Sequence, residues 1–322
     1  MQKNISDFNP NDRIQGFYLI DSITIGKTRG GSDFLSASLS DRSGSVELKA
    51  WNYSGALGSS DNGSIIKVRG TVEKYKEKLQ LIADNQGGSA ALRLLNGDDD
   101  ISGLDLIPTA PVDLKERYEY ILKSVNKMRD PDYKKLCLEM LKAHANDFIK
   151  IPAGKSVHHE FIGGLLMHSS SMLKIAEFLA DFYSDFINKD LLMAATLLHD
   201  ISKIREFDLS PTGLVANYSA EGMLLGHLYM GAREVSAMSE KLGIDREKSM
   251  LLEHLILSHH GKPEHGAAVL PQTAEAELLS LIDLIDSRME ICRSALMNTE
   301  AMNFSEKIYG LDYRRVYRHE LE

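Results

Sequence analysis

With 322 residues, the chain is about twice the usual single-domain size, so two domains with separate cores are expected. Hydrophobic residues make up 43% and charged residues 26%, the balance of a globular chain. No run of about 18 apolar residues occurs and residues 1–10 carry no basic-then-apolar leader, which speaks against a membrane span or a secretory signal and makes the cytoplasm the expected compartment. The net charge of −9 argues against a chain coated in nucleic acid but not against a local basic groove.

Charge and histidine are unevenly distributed. Residues 1–95 hold 12 Lys+Arg against 10 Asp+Glu, a net +2, and the remainder holds 25 against 36, a net −11. None of the 11 histidines precedes His144, and ten lie from His144 to His265. Imidazole chemistry therefore belongs to the second part of the chain. Cys137 and Cys292 stand far apart and outside any CxxC pattern, so a disulfide framework and a cysteine zinc site are both excluded.

Between residues 15 and 83 the sequence runs GFYLIDSITI, FLSASLS, SVELKAW, SIIKVRGTV and KLQLIA, separated by Gly, Ser, Asp and Asn. These five short strands predict a small β-barrel. Leu35, Ala37 and Leu39 alternate with serines, and Val46, Leu48 and Ala50 with Glu47 and Lys49, so each strand should have one wet face. Phe34 and Trp51 are expected in the core. Tyr53 and Tyr75, in polar surroundings, are the candidate base-stacking residues, with Lys74, Lys76 and Lys78 predicted to line one face of a hairpin. Residues 1–95 are thus assigned to the barrel, and 96–112, with an acidic triplet and two prolines, to a linker.

From residue 113 the period becomes helical: Leu114, Tyr118, Ile121, Leu122 and Val125 form one stripe, and Leu136, Met140 and Leu141 another. Residues 113–322 are read as an all-α bundle. Four polar pieces end apolar helical runs within it: His168 in GGLLMHS, His199-Asp200 in ATLLHDISK, His259-His260 in ILSHHGK, and Asp283 with Asp286 in LLSLIDLIDSRM. Burying such groups costs several kcal/mol unless compensated, and a divalent cation is the common compensator. Imidazole and carboxylate without thiolate suit Mn, Fe, Co, Ni or Mg.

This pattern of His, His-Asp and a distant Asp in a helical segment resembles the HD superfamily of metal-dependent phosphohydrolases, over residues 155–290. The resemblance implies His168, His199, Asp200 and Asp283 as metal ligands; Asp286, at i+3 on the same face, competes with Asp283. His227 in LLGHLYM and His259-His260 resemble the extra histidines of HD proteins that hold two ions, with Asp200 as the bridge. Lys203 in HDISK, one turn past the pair, is placed to meet a substrate phosphate, as is Lys262 in HHGKPEHG. His158-His159 are expected to shape the approach, and His144, His254 and His265 to play no part.

The order of domains narrows the resemblance. A barrel carrying GFYLI and an F-L-x-x-x-L-x-D-x-S-G-x-V-E-x-K-x-W run, followed by LLxHDISK, EGMLLGH and SHHGKPEHG, is similar to the YhaM-type 3′ to 5′ exoribonucleases of bacteria, over residues 10–295. It implies an OB-fold that binds single-stranded RNA, with single-stranded DNA as the alternative, and an HD domain that removes nucleotides from the 3′ end with one or two metal ions, preferably Mn. Asp200 and Lys203 would act in catalysis. Two other readings stand beside it: an HD phosphohydrolase of nucleotides or cyclic dinucleotides, the latter weakened by GKPEHG where a GYP would follow the His pair, and a nucleic-acid-binding scaffold with an inactive HD domain. No membrane partner is expected, and self-association is left open.

Overall fold

The computed structural model describes residues 2–76, 78–84, 91–101, 104, 106–154, 161–210 and 212–320. The chain divides into two compact units, one of residues 1–109 together with Leu209–Ala216, the other of Ala110–Asp208 and Asn217–Glu322.

The first unit is a barrel of β1 (Arg13–Lys27), β2 (Asp33–Asp41), β3 (Gly44–Trp51), β4 (Ile65–Tyr75) and β5 (Lys78–Ala83), with β6 (Leu92–Leu94) added beside β4. β1 is long enough to serve two neighbours. Its first half pairs with β4 from Arg13 to Leu19 and its second half with β2 from Leu19 to Lys27, with a register break between Ile20 and Ser22 where the partner changes. Such a bulge bends a strand and lets the sheet close on itself. A parallel pairing of β3 with β5 completes the ring. The predicted alternation holds: Leu35, Ala37, Leu39, Val46, Leu48 and Ala50 are buried, joined by Tyr18, Ile66, Val68, Val72 and Leu81 in one core.

The division between the units after Thr109 falls within the stretch read as a linker, residues 96–112, and the start of that stretch is bonded to the barrel. Asp99 accepts hydrogen bonds from both guanidinium NH groups of Arg93 and from the Asn96 backbone, and lies 3.4 Å from Lys67 Nζ.

In the second unit lie α1 (Leu114–Asn126), α2 (Pro131–Phe148), α3 (Gly164–Phe182), α4 (Lys189–Leu198), a single turn α5 (Lys203–Glu206), α6 (Ala220–Leu242), α7 (Arg246–Ser258) and α8 (Ala274–Met297). Side chains of Asp113, Asp130, Asn188, Ser219, Asp245 and Thr273 accept from backbone N–H groups one turn on. Each of these helices therefore begins where a short polar side chain satisfies otherwise unbonded donors. α4 is buried from Leu191 to Leu198 and touches α2, α3, α7 and α8, which makes it the axis of the bundle. The helical reading of 113–322 needs two short hairpins added: β7 (Phe207–Leu209) with β8 (Val215–Tyr218), of which Leu209–Ala216 counts with the first unit, and β9 (Asn303–Phe304) with β10 (Tyr317–Arg318). Among the described residues no helix is long and apolar enough to cross a membrane.

Candidate metal centre

The polar residues gather at the C-terminal end of α4. His199 is the C-cap of that helix and Asp200 follows it in the next turn; both are buried. α3 contributes His168, α6 His227, the end of α7 His259 and His260, and α8 Asp283 and Asp286. α4 and α7 both deliver their C-termini here, and the unbonded carbonyls at helix ends favour positive charge. His199 and His259 use that geometry directly: each ring places Nδ1 against the carbonyl three residues back, Thr196 O at 2.9 Å and Ile256 O at 2.7 Å.

A carbonyl can only accept, so in both rings Nδ1 carries the proton and Nε2 is left with its lone pair. Carboxylates do the same for two more rings: His168 Nδ1 lies 2.7 Å from Asp286 Oδ2, and His227 Nδ1 lies 2.9 Å from Glu206 Oε1. All four Nε2 atoms converge on Asp200. Its Oδ2 is 3.3 Å from His199 Nε2 and 3.7 Å from His168 Nε2, and its Oδ1 is 3.4 Å from His227 Nε2 and 3.8 Å from His259 Nε2. Asp283 Oδ1 stands 3.4 Å from His168 Nε2.

Three overlapping groups could therefore hold a cation: His168, His199 and Asp283; His199, Asp200 and His259; and His227, His259 and His260. Within each, the ligand atoms lie within 4.8 Å of one another. Donors about 2.0–2.2 Å from a shared ion need a spacing of this order. The buried Asp200 Oδ1 and His227 Nε2 have no hydrogen-bond partner, an arrangement that would cost several kcal/mol without a cation between them. These residues fit a divalent metal.

The electrostatics agree. Burial alone would raise the Asp200 carboxyl, but Lys203 and His199 hold it well below the ordinary range. Asp283 is likewise held low, against burial, by His168, His199 and His259. Burial and the neighbouring His199 lower His259 well below the ordinary imidazole range, against the opposing pull of Asp200. Burial would also lower His168, yet Asp283 and Asp286 push it up to about 10. The carboxylates demand a positive charge, and a proton and a metal ion compete to supply it.

Tertiary packing separates Asp283 from Asp286. Asp283 faces the Nε2 side of His168 with the other donors, and Asp286 supports the ring from Nδ1. Lys203 Nζ lies 2.7 Å from Asp200 Oδ2. Lys262 is exposed on the turn after His260, His144 pairs with Glu234, and His158 and His159 lie outside the described residues. One residue of the cluster escaped the sequence reading: Glu206 gave no motif signal, since its relation to His227 arises only when α5 packs on α6. Trp51, expected in the core, follows the β3 alternation onto the outer face.

On the barrel the exposures of Tyr53 and Trp51 are the reverse of those expected. Tyr53 is 8% exposed, and its hydroxyl accepts the Leu57 N–H at 2.7 Å, whereas Trp51 is 42% exposed. Asn52, at φ 51°, turns the chain out of the strand, so Tyr53 no longer follows the strand's parity. Trp51 pairs across strands with Phe34, the rings 5.4 Å apart, and Lys49 Nζ lies 5.6 Å from the Phe34 centroid. Tyr75 is exposed as expected, with Lys76 Nζ 5.3 Å from its ring centroid. The lysine run does not share a face. Tyr75 opposes Lys78 and Lys74 opposes Leu79, which puts Lys74 and Lys78 on opposite sides of the sheet, while Lys76 sits in the turn at φ 47°.

Comparison with known proteins agrees with this division. Residues 19–85 match the OB-fold nucleic acid binding domain and residues 165–288 match the HD domain. Solved structures similar to parts of the chain include the second OB-fold domain of replication protein A from Methanococcus maripaludis, 20% identical, covering 31% of this chain and 100% of that one, TM-score 0.23. A replication protein A heterotrimer bound to single-stranded DNA is 13% identical, over 29% of this chain and 63% of that one, TM-score 0.22. RecG bound to a three-way DNA junction is 13% identical, over 65% of this chain and 27% of that one, TM-score 0.23. The chain carries an OB-fold domain followed by an HD domain. That class is a metal-dependent phosphohydrolase equipped with a nucleic-acid-binding fold.

Proposed function

We propose that the protein is a metal-dependent 3′ to 5′ exonuclease of single-stranded RNA, releasing nucleoside 5′-monophosphates. The observation that carries the phosphodiesterase reading is the convergence of four imidazole Nε2 atoms and two carboxylates on one buried cluster. RNA as substrate draws on the OB-fold match, and the direction of attack on the family resemblance. His168, His199, Asp200 and Asp283 would hold one ion, with Asp200 shared by a second at His227, His259 and His260. Divalent ions bound there supply Lewis acids for the phosphodiester and for the attacking water, with Mn the preferred metal. Lys203, its side chain 13% exposed, offers an ammonium to a phosphate oxygen while orienting Asp200. Asp286 and Glu206 hold the His168 and His227 rings in the required tautomer.

End-labelled RNA tests this reading. With Mn, RNA with a free 3′-hydroxyl should shorten stepwise to mononucleotides, a 3′-phosphate should slow the reaction, and circular RNA should resist. Equal rates on all three would identify an endonuclease. Turnover of nucleotides or cyclic dinucleotides with RNA left intact would identify a small-molecule phosphohydrolase.

The barrel contribution is separable. Trp51→Ala should raise KM for long RNA about 5- to 150-fold, the effect of losing about 1–3 kcal/mol of base stacking, with kcat unchanged. Tyr53→Phe should leave KM unaltered and cost only about 0.5–1.5 kcal/mol of stability through its lost hydrogen bond. The opposite order of effects in RNA titrations would restore Tyr53 as the stacking residue.

A further inference from the structure

We infer that Glu206 and Gly226 act together as a positioning device that aims His227 at the second ion position, so that occupancy of that position depends on both. The inference rests on the two-position reading above. α6 is interrupted at Gly226, whose backbone (φ 69°, ψ 155°) is far from helical. That combination is essentially restricted to glycine. The break removes His227 N–H from the regular helical ladder, and Glu206 Oε1 accepts it at 3.0 Å while also taking the Nδ1 proton at 2.9 Å. One carboxylate oxygen thus fixes both the backbone and the ring of the same histidine. The ring's only remaining nitrogen is the buried, partnerless Nε2 beside Asp200 Oδ1.

Close packing keeps Glu206 in place. A Cβ on Gly222, in the first turn of α6, would come within 2.3 Å of the Glu206 carbonyl oxygen and 2.9 Å of its Cγ, so the helix can approach only because that side chain is missing. Ser219 N–H also bonds the Glu206 carbonyl at 2.8 Å. At Gly226 the situation differs: a Cβ there would meet nothing within 4 Å. Gly226→Ala consequently perturbs the backbone conformation without a clash, and Glu206→Gln removes the charge without changing shape. These are two independent ways to disturb the same ring.

The test uses the full-length protein with Mn as the probe, read by equilibrium dialysis and by electron paramagnetic resonance. Wild type should take up two ions with the spectrum of an exchange-coupled pair. Both variants should keep one ion and bind the other about 10- to 100-fold more weakly, the usual effect of losing an outer supporting residue, with the spectrum passing to that of an isolated ion. Glu206→Gln added to His227→Ala should cause no further loss, since both act through one ring. Two ions bound with wild-type affinity in both variants would overturn the inference. So would a lower melting temperature with unchanged stoichiometry and spectrum, the mark of a merely structural role. Should Glu206→Gln not fold, Gly226→Ala decides alone. A wild-type protein that binds fewer than two ions would instead refute the two-position reading itself.

Discussion

Asp200→Asn is expected to abolish hydrolysis and to empty both ion positions in a protein that remains folded. Its two oxygens divide between the two sets of imidazoles, Oδ2 toward His168 and His199 and Oδ1 toward His227 and His259. An amide keeps the shape, but it replaces one acceptor by a donor and removes the charge. The donor then opposes either lone pairs or the Lys203 ammonium, 2.7 Å from Oδ2. Breaking one partner of a buried ion pair costs about 3–5 kcal/mol, so a lower melting temperature with intact helicity is part of the expectation. The loss of activity should exceed the about 10- to 100-fold typical of an outer supporting residue. His254→Ala is the control: its Nε2 only accepts the Gln272 backbone N–H, and activity should stay within about twofold, as for substitutions away from such features. If Asp200→Asn retains activity within about tenfold of wild type in metal-replete buffer, or if His254→Ala is equally damaging, the ligand assignment fails.

Chelation should lower the melting temperature of the helical unit far more than that of the barrel. The centre holds carboxylates kept low in pKa beside buried ligand atoms without hydrogen-bond partners, so the folded state would bind an ion that the unfolded chain would not. Metal at about a thousand times its Kd adds about 4 kcal/mol of stability. For a unit of 150–250 residues each kcal/mol is worth about 2–4 °C, giving a drop of roughly 8–16 °C on removal. Calorimetry with and without excess EDTA, at several Mn concentrations, measures this directly. Two units can melt separately, and the barrel transition serves as internal reference. A helical transition that ignores Mn, or one that shifts equally in Asp200→Asn, would mean that the cluster holds no stabilising ion.

The barrel strands were legible because burial on one face imposes a period of two, and Leu35, Ala37 and Leu39 display it in the bare sequence. The bundle was legible for the same kind of reason, with apolar stripes at helical spacing and His-Asp pieces at the ends of buried runs. Local chemistry of that sort is written in neighbouring residues. Contacts between distant segments are not. Asp283 and Asp286 lie on one face of α8, three residues apart, and only the approach of α3 puts one carboxylate at His168 Nε2 and the other at Nδ1. Tyr53 looked solvent-facing until the left-handed Asn52 turned it inward, and Lys74, Lys76 and Lys78 looked like one face until a hairpin turn fell among them. Glu206 stands 21 residues before His227, a separation with no helical or strand meaning, and becomes its support when Gly222 lets α6 close on α5. Periodicity reports which face of an element is buried, but the partner that each face meets is decided by side-chain volume and backbone breaks across the whole unit.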